Sequence, residues 1–159
     1  VTASDAIASA RVYLEQPNGN RTDCAWNGTG HVCPGGRLIS REWHDVHFEP
    51  RRCVRFDPPG GPTRLVLAFP AVPSIEHLVI EAGYIWESGA HRDGVTDTEV
   101  GYAVGDRSGS FTLERGNELL HRVDVGSAPD GATIRVWTSS PNPTARQVCL
   151  DVTGYGALR

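Results

Sequence analysis

Apolar residues recur at every second position through most of this chain, the period of a strand with one face buried and the other in solvent. Leu65, Leu67 and Phe69 hold one such phase, and Val100, Tyr102 and Val104, then Ile134 and Val136, hold others. The pattern predicts strands over 43–48, 52–57, 63–69, 77–85, 98–105, 110–114, 119–125, 133–139 and 147–153. Turn chemistry separates them: Pro58-Pro59-Gly60-Gly61-Pro62, Gly105-Asp106, Arg115-Gly116-Asn117, Asp130-Gly131 and Pro141-Asn142-Pro143 combine fixed φ, left-handed φ and local side-chain hydrogen bonds. Roughly nine short strands in a domain of this length call for two packed sheets, so the fold class is all-β, a two-sheet sandwich.

The first residues follow a different rhythm. Ala6, Ile7, Ala10, Val12 and Leu14 behind Ser4 predict a short N-terminal helix from residue 4 to about residue 15, stopped by Pro17-Asn18-Gly19-Asn20. Residues 21–37 read as a disulfide-tied loop. The expected organisation is one structural domain, with 1–37 packed on a sandwich formed by 38–159, and its 159 residues are enough to bury a core.

Four cysteines refine this picture. Cys53 and Cys149 lie on the phase opposite Val54 and Phe56, and opposite Val148, Leu150 and Val152, respectively. Both sulfurs are therefore expected on the outer face of a sheet, where two neighbouring strands can be bridged. Cys24 and Cys33 would close the short loop between them. In the chain-entropy model the two bridges contribute about 3 and about 5 kcal/mol, the longer loop more. No metal or haem spacing of cysteine with cysteine or histidine is present, and two bridges consume all four thiols. The expected compartment is extracytoplasmic: secreted, periplasmic or cell-surface.

The net charge is −4, and fifteen arginines without a lysine are scattered along the chain, a composition that reflects a GC-rich genome better than a nucleic-acid stripe. The longest apolar runs, such as 65–69, are strand-sized, so no membrane insertion is expected within this segment. With no methionine and a Val-Thr-Ala-Ser-Asp start, the chain reads as a mature form or a fragment, its signal or anchor removed.

A Trp before the first core strand, then RRCVRFDPPGGPTRLVLAF, AGYIWESGAHRDGVTDTEVGYAVGD and ATIRVWTSSPNPTARQVCLDVTGYG, resemble the galactose-binding-like jelly rolls of discoidin domains and related carbohydrate-binding modules. The resemblance covers about residues 40–156 and concerns strand order and loop placement. It implies a two-sheet jelly-roll β-sandwich in which late strands return beside early ones, where the 53–149 bridge would fall.

The densest polar cluster is His91-Arg92-Asp93-Gly94-Val95-Thr96-Asp97, following Trp86 between two predicted strands. An indole stacks on the apolar face of a pyranose while a forked cation and carboxylates fix its hydroxyls, so Trp86, His91, Arg92 and Asp93 are the candidate ligand-binding residues. Asn142 and Arg146 of the Pro-rich loop are weaker candidates. The bland alternative is an ordinary polar loop with Trp86 packed in the sandwich. Asp93 and Asp97 could add ligands to a structural calcium, although the EF-hand pattern is absent; no other cofactor is expected.

Other motifs carry less. In Trp43-His44-Asp45-Val46-His47 a strand sends the two histidines to opposite faces, which reads as solvated positions flanking a core Trp or Val. No nucleophile elbow exists, and Glu76/Glu81 or Glu114/Glu118 would do glycosidase chemistry only if brought to the right separation. Asn27-Gly28-Thr29 matches the glycosylation sequon. Trp26 is either an exposed contact or, the preferred reading, a plug over one end of the sandwich. Trp137, on the polar phase beside Arg135, invites an Arg–Trp stack on the outer face or a cover from the N-terminal helix. The leading function is a noncatalytic recognition module for a glycan or cell-surface polysaccharide, with further domains or protein partners possible. The rivals are a structural or assembly domain of a surface or secreted complex and, behind it, a hydrolase.

Overall fold

The structure, a computed structural model, describes residues 2–34, 37–46, 49–85, 97–114, 120–141 and 147–156. After a single helical turn α1 (Ala3–Ala6) and a 3₁₀ turn (Ile7–Ser9), the strands are β1 (Arg11–Glu15), β2 (Arg21–Asp23), β3 (Ala25–Trp26), β4 (Gly30–Cys33), β5 (Arg37–Val46), β6 (Glu49–Phe56), β7 (Gly61–Val72), β8 (Ile75–Tyr84), β9 (Thr98–Val104), β10 (Arg107–Leu113), β11 (His121–Ala128), β12 (Ala132–Ser140) and β13 (Val148–Tyr155). They form two antiparallel sheets, one ordered β10-β9-β12-β7-β1-β2 and the other β11-β8-β13-β6-β5-β4-β3. All nine predicted strands are present, most with an end displaced by a few residues.

The eight strands from β6 onward define the architecture. Apart from the β9–β10 hairpin, turned at Gly105 with φ of 59°, successive strands cross to the opposite sheet. The result is two four-stranded sheets, β10-β9-β12-β7 facing β11-β8-β13-β6, the double Greek key of a jelly roll. Late strands do return beside early ones: β13 lies between β6 and β8, and β12 between β7 and β9.

Val54, Phe56, Leu65, Leu67, Leu78, Ile80, Val100, Val104, Ile134, Val136, Val148 and Leu150 are buried between the sheets, on the phase that alternation assigns them. Phe69 and Tyr102 are only partly buried against that core. Ile7, Ile39 and Leu113 join it.

The N-terminal region departs from expectation. Thr2, not Ser4, caps the helix, its Oγ1 accepting from the Asp5 N–H at 3.3 Å. The helix ends within one turn, and Arg11–Glu15 are a strand because Val12 and Leu14 pair with Leu67 and Leu65 across β7. Edge pairing to a buried strand satisfies the backbone and buries an apolar face at once, which outweighs weak helix propensity over so short a run. Likewise most of residues 21–33 form β2, β3 and β4, not a loop, and extend both sheets. His31 secures this region: buried in β4, it places Nδ1 3.2 Å from the Cys24 carbonyl and Nε2 3.0 Å from the Ile7 carbonyl.

Both disulfides are formed, Cys24 with Cys33 and Cys53 with Cys149. Cys53 and Cys149 sit on the phase opposite the core, as expected, yet they are buried. Their cover is the distal part of the β5–β6 hairpin. β6 pairs with β13 only from Phe56↔Val148 to Val54↔Leu150, whereas β13 pairs with β8 as far as Tyr155↔His77. Beyond Val54 the hairpin lies against the outer face of its own sheet, so Val46 packs with Cys53, Ile85, Cys149 and Leu120 as a second small core. Gly83 permits the approach, because a Cβ there would lie 2.9 Å from Val46 Cγ1.

Leu67 is fully buried at the centre of the main core. Leu67→Ala is expected to lower unfolding free energy by about 2–5 kcal/mol through lost burial and a residual cavity. Urea denaturation measures it, and an unchanged midpoint would mean that the side chain is not packed there.

Candidate functional site

Jelly-roll alternation gathers connections at the two ends of the sandwich. Phe56, Tyr84, Val148 and the start of β7 share one end, and the described residues that bracket 86–96, 115–119 and 142–146 lie there with them. Backbone and side-chain bonds tie these roots together. The Ile85 N–H donates to the Gln147 carbonyl at 2.9 Å, joining the base of the 86–96 connection to that of 142–146. Ser140 Oγ donates to the Asp97 carbonyl at 3.4 Å, joining the other two roots of the same connections. Gly61 N–H donates to the Pro141 carbonyl at 3.3 Å and brings the 57–60 turn to the same place.

Tyr84 is the tie that sequence reasoning missed. Its buried hydroxyl lies 2.9 Å from Thr98 Oγ1 and donates to the Leu113 carbonyl at 3.0 Å, so one phenol joins the ends of β8 and β10 to the start of β9. The signal available in the sequence was a tyrosine at the last inward position of a strand, beside a polar connection. A buried phenol needs a polar partner, and the ends of neighbouring strands supply one.

Trp86, His91, Arg92, Asp93, Asn142 and Arg146 all lie outside the described residues, as do His47 and Glu118. Of the expected calcium pair, Asp97 is described and its side chain is exposed, while Asp93 lies outside the described residues. Among the described residues no group of three or more histidine, cysteine, aspartate or glutamate side chains is placed to hold a metal ion.

Two concavities stand out among the described residues. The larger, about 500 Å³, is apolar and sits at the opposite end, under α1, where Phe69, Ile75, Leu78 and Ile134 line it beside Ala71, a non-glycine residue at φ of 51°. The smaller, about 300 Å³, lies beneath the folded-over hairpin. Several of the charges around it are ion-paired: Arg51 with Glu49 at 2.9 Å and with Glu81 at 3.8 Å, Arg122 with Glu81 at 3.3 Å, and Arg52 with Asp5 of α1 at 3.2 Å. Glu76 and Glu81 are on opposite faces of β8, so they are not a carboxylate pair.

Trp137 is on the outer face, but its cation is Arg64 of β7, 4.9 Å from the ring centroid, and the N-terminal helix does not cover it. The indole lies so close over Gly101 that a Cβ would fall 2.1 Å from it, and its Nε1 donates to Glu99 at 3.4 Å. On the same face Tyr13 is buried beneath Arg21 and Arg11, 4.7 and 5.5 Å from its ring. The Arg21 hydrogen bond to Glu15, and then Tyr13, raise its pKa further, so that the stack keeps its charge. Trp26 is not an end plug: it stands 38% exposed at a sheet edge against the His31 ring. Asn27 is exposed, and its Oδ1 accepts from the Thr29 and Gly30 backbone N–H groups, so the sequon forms an Asx turn. Trp43 is not core; Val46 is the buried residue of that run.

No family model matches the sequence, and no curated protein matches it. Among solved structures, a family 35 carbohydrate-binding module from Clostridium thermocellum is similar with a TM-score of 0.43 at 11% identity, over 74% of this chain and 87% of that one. A family 35 module from Cellvibrio japonicus gives 0.40 at 14% identity, over 91% of this chain and 94% of that one. An exo-β-1,3-galactanase from Phanerochaete chrysosporium, solved with galactose, gives 0.40 at 13% identity, with 87% of this chain matching 31% of that one. The jelly-roll assignment stands on the strand order of this chain itself.

Tyr84→Phe is expected to cost about 1–3 kcal/mol, because the Leu113 carbonyl and Thr98 hydroxyl stay buried without their phenol partner. A urea midpoint equal to that of the parent would show that the phenol ties nothing.

Proposed function

We propose that the chain is a noncatalytic glycan-recognition module that works outside the cytoplasm. The observation that carries this reading is the joining of the roots of 86–96 and 142–146 at one end of the sandwich, through the Ile85–Gln147 and Ser140–Asp97 bonds. Two segments far apart in sequence, one with Trp86, His91, Arg92 and Asp93 and the other with Asn142 and Arg146, thereby start and finish side by side. An indole, forked cations, an amide and carboxylates on one rigid frame supply the stacking face and the hydrogen-bond groups that a pyranose takes. Two disulfides fit an oxidising compartment, and among the described residues no helix is long and apolar enough to cross a membrane.

Affinity electrophoresis in gels containing galactan, xylan or galactomannan tests the reading. Trp86→Ala and Arg92→Ala are each expected to weaken retention by about 1–3 kcal/mol without changing the far-ultraviolet circular dichroism. A parent protein that none of the gels or a broad glycan array retains would sink the proposal and move the assembly-domain reading ahead. A calcium ion held by Asp93 and Asp97 is a subordinate part of the proposal. In that case a chelator lowers the melting temperature and calcium restores it, whereas an Asp93→Asn, Asp97→Asn variant shows neither response.

A further inference from the structure

The folded-over hairpin has two faces with opposite fates. Val46 and Cys53 face the sheet and are buried there. Trp43 and Arg52, paired across β5 and β6, are on the other face. Trp43 is 68% exposed, more than Trp26, Val32 or Tyr155 among the exposed large apolar residues described. An indole in that position forgoes the burial that an aromatic side chain usually contributes to folding. Its support is nevertheless rigid: β5 and β6 share an unbroken register from Ser40↔Arg55 to Val46↔Glu49, the Cys53–Cys149 bond ties β6 to β13, and Val46 anchors the distal end.

The surroundings of Trp43 indicate what the exposed ring takes. Arg52 Nη1 lies 3.2 Å from Asp5 Oδ1 of α1, and both side chains remain open to solvent at 41% and 52%. Exposed indole, guanidinium and carboxylate thus come from three elements, β5, β6 and α1. The centre of a protein–protein contact takes Trp and Arg but is depleted in Asp, and here an aspartate stays open to solvent beside the indole. A pyranose fits it better: its C–H face lies on the indole, and its hydroxyls meet a forked donor and a carboxylate acceptor.

We propose that Trp43, with Arg52 and Asp5, is a second glycan-contacting surface that binds a pyranose of the same polysaccharide chain. This rests on the glycan-recognition reading above. Arg52 is four residues before Phe56, which marks the end where 86–96 and 142–146 begin, so the two surfaces are separated by about 13 Å or more of strand. A polysaccharide long enough to meet both gains from the high effective concentration of the second contact, and a single sugar does not.

The test uses the full chain and the galactan, xylan and galactomannan gels. Trp43→Ala is expected to weaken retention about 5- to 30-fold on whichever polysaccharide retains the parent, with Trp43→Tyr close to parent and Arg52→Ala intermediate. The melting temperature of Trp43→Ala should stay within a few degrees of the parent, as for an exposed side chain. A parent that is retained, weakened by Trp86→Ala but not by Trp43→Ala, overturns the second surface and leaves the glycan reading standing. A parent retained by no glycan overturns both. Concentration-dependent self-association that disappears in Trp43→Ala, with glycan retention unchanged, overturns the proposal in favour of a protein contact.

Discussion

Everything in this molecule depends on the need of each strand to hide one face. A strand of alternating phase exposes half its side chains as apolar surface, and here the cover for each sheet is the other sheet. Because successive strands from β6 onward cross between sheets, except at the β9–β10 hairpin, their connections are brought to the ends of the sandwich. Burial therefore fixes where irregular backbone can go. The described residues that bracket 86–96 and 142–146 lie at one of those ends because the core between β7, β8, β12 and β13 leaves their roots nowhere else.

The outer faces follow a different economy. On the outer face of the sheet that runs from β10 to β2, arginines cover the aromatic rings: Arg64 lies over Trp137, and Arg11 and Arg21 flank Tyr13. Their aliphatic stems and planar heads shield apolar surface while the charge stays in water. On the other sheet the chain covers itself, with a hairpin bent over the strands and a disulfide beneath it. The Cys53–Cys149 bond is thus buried although it lies outside the main core. Neither device covers Trp43.

The jelly roll was readable because alternation reports burial directly, as at Leu65, Leu67, Val100 and Ile134. It failed where two periods fit the same residues. Ala6, Ile7, Ala10, Val12 and Leu14 satisfy a helix until the partner strand is known, and only the neighbouring Leu65 and Leu67 decide for β1. Trp43 and Trp137 show a second limit. Period-two phase says which face a ring is on, but not whether a hairpin has curled away or an arginine from the next strand has come across. Tyr84 shows a third, since the partners of a buried hydroxyl are set by strand order and not by nearby sequence. At the loop end the residue types were legible, but that Ile85 would bond Gln147 and Ser140 would bond Asp97 was not, because strand order and not nearby sequence brings those roots together.

Glycan recognition as proposed above puts the sugar at this end of the sandwich. Backbone amide chemical shifts, followed while an oligosaccharide cut from a retained polysaccharide is added, test it most directly. The account predicts shifts at Ile85, Asp97, Thr98 and Gln147, with the turns at Gly105-Asp106 and Asp130-Gly131 unmoved. Shifts confined to those far turns, with the roots silent at saturation, would contradict it.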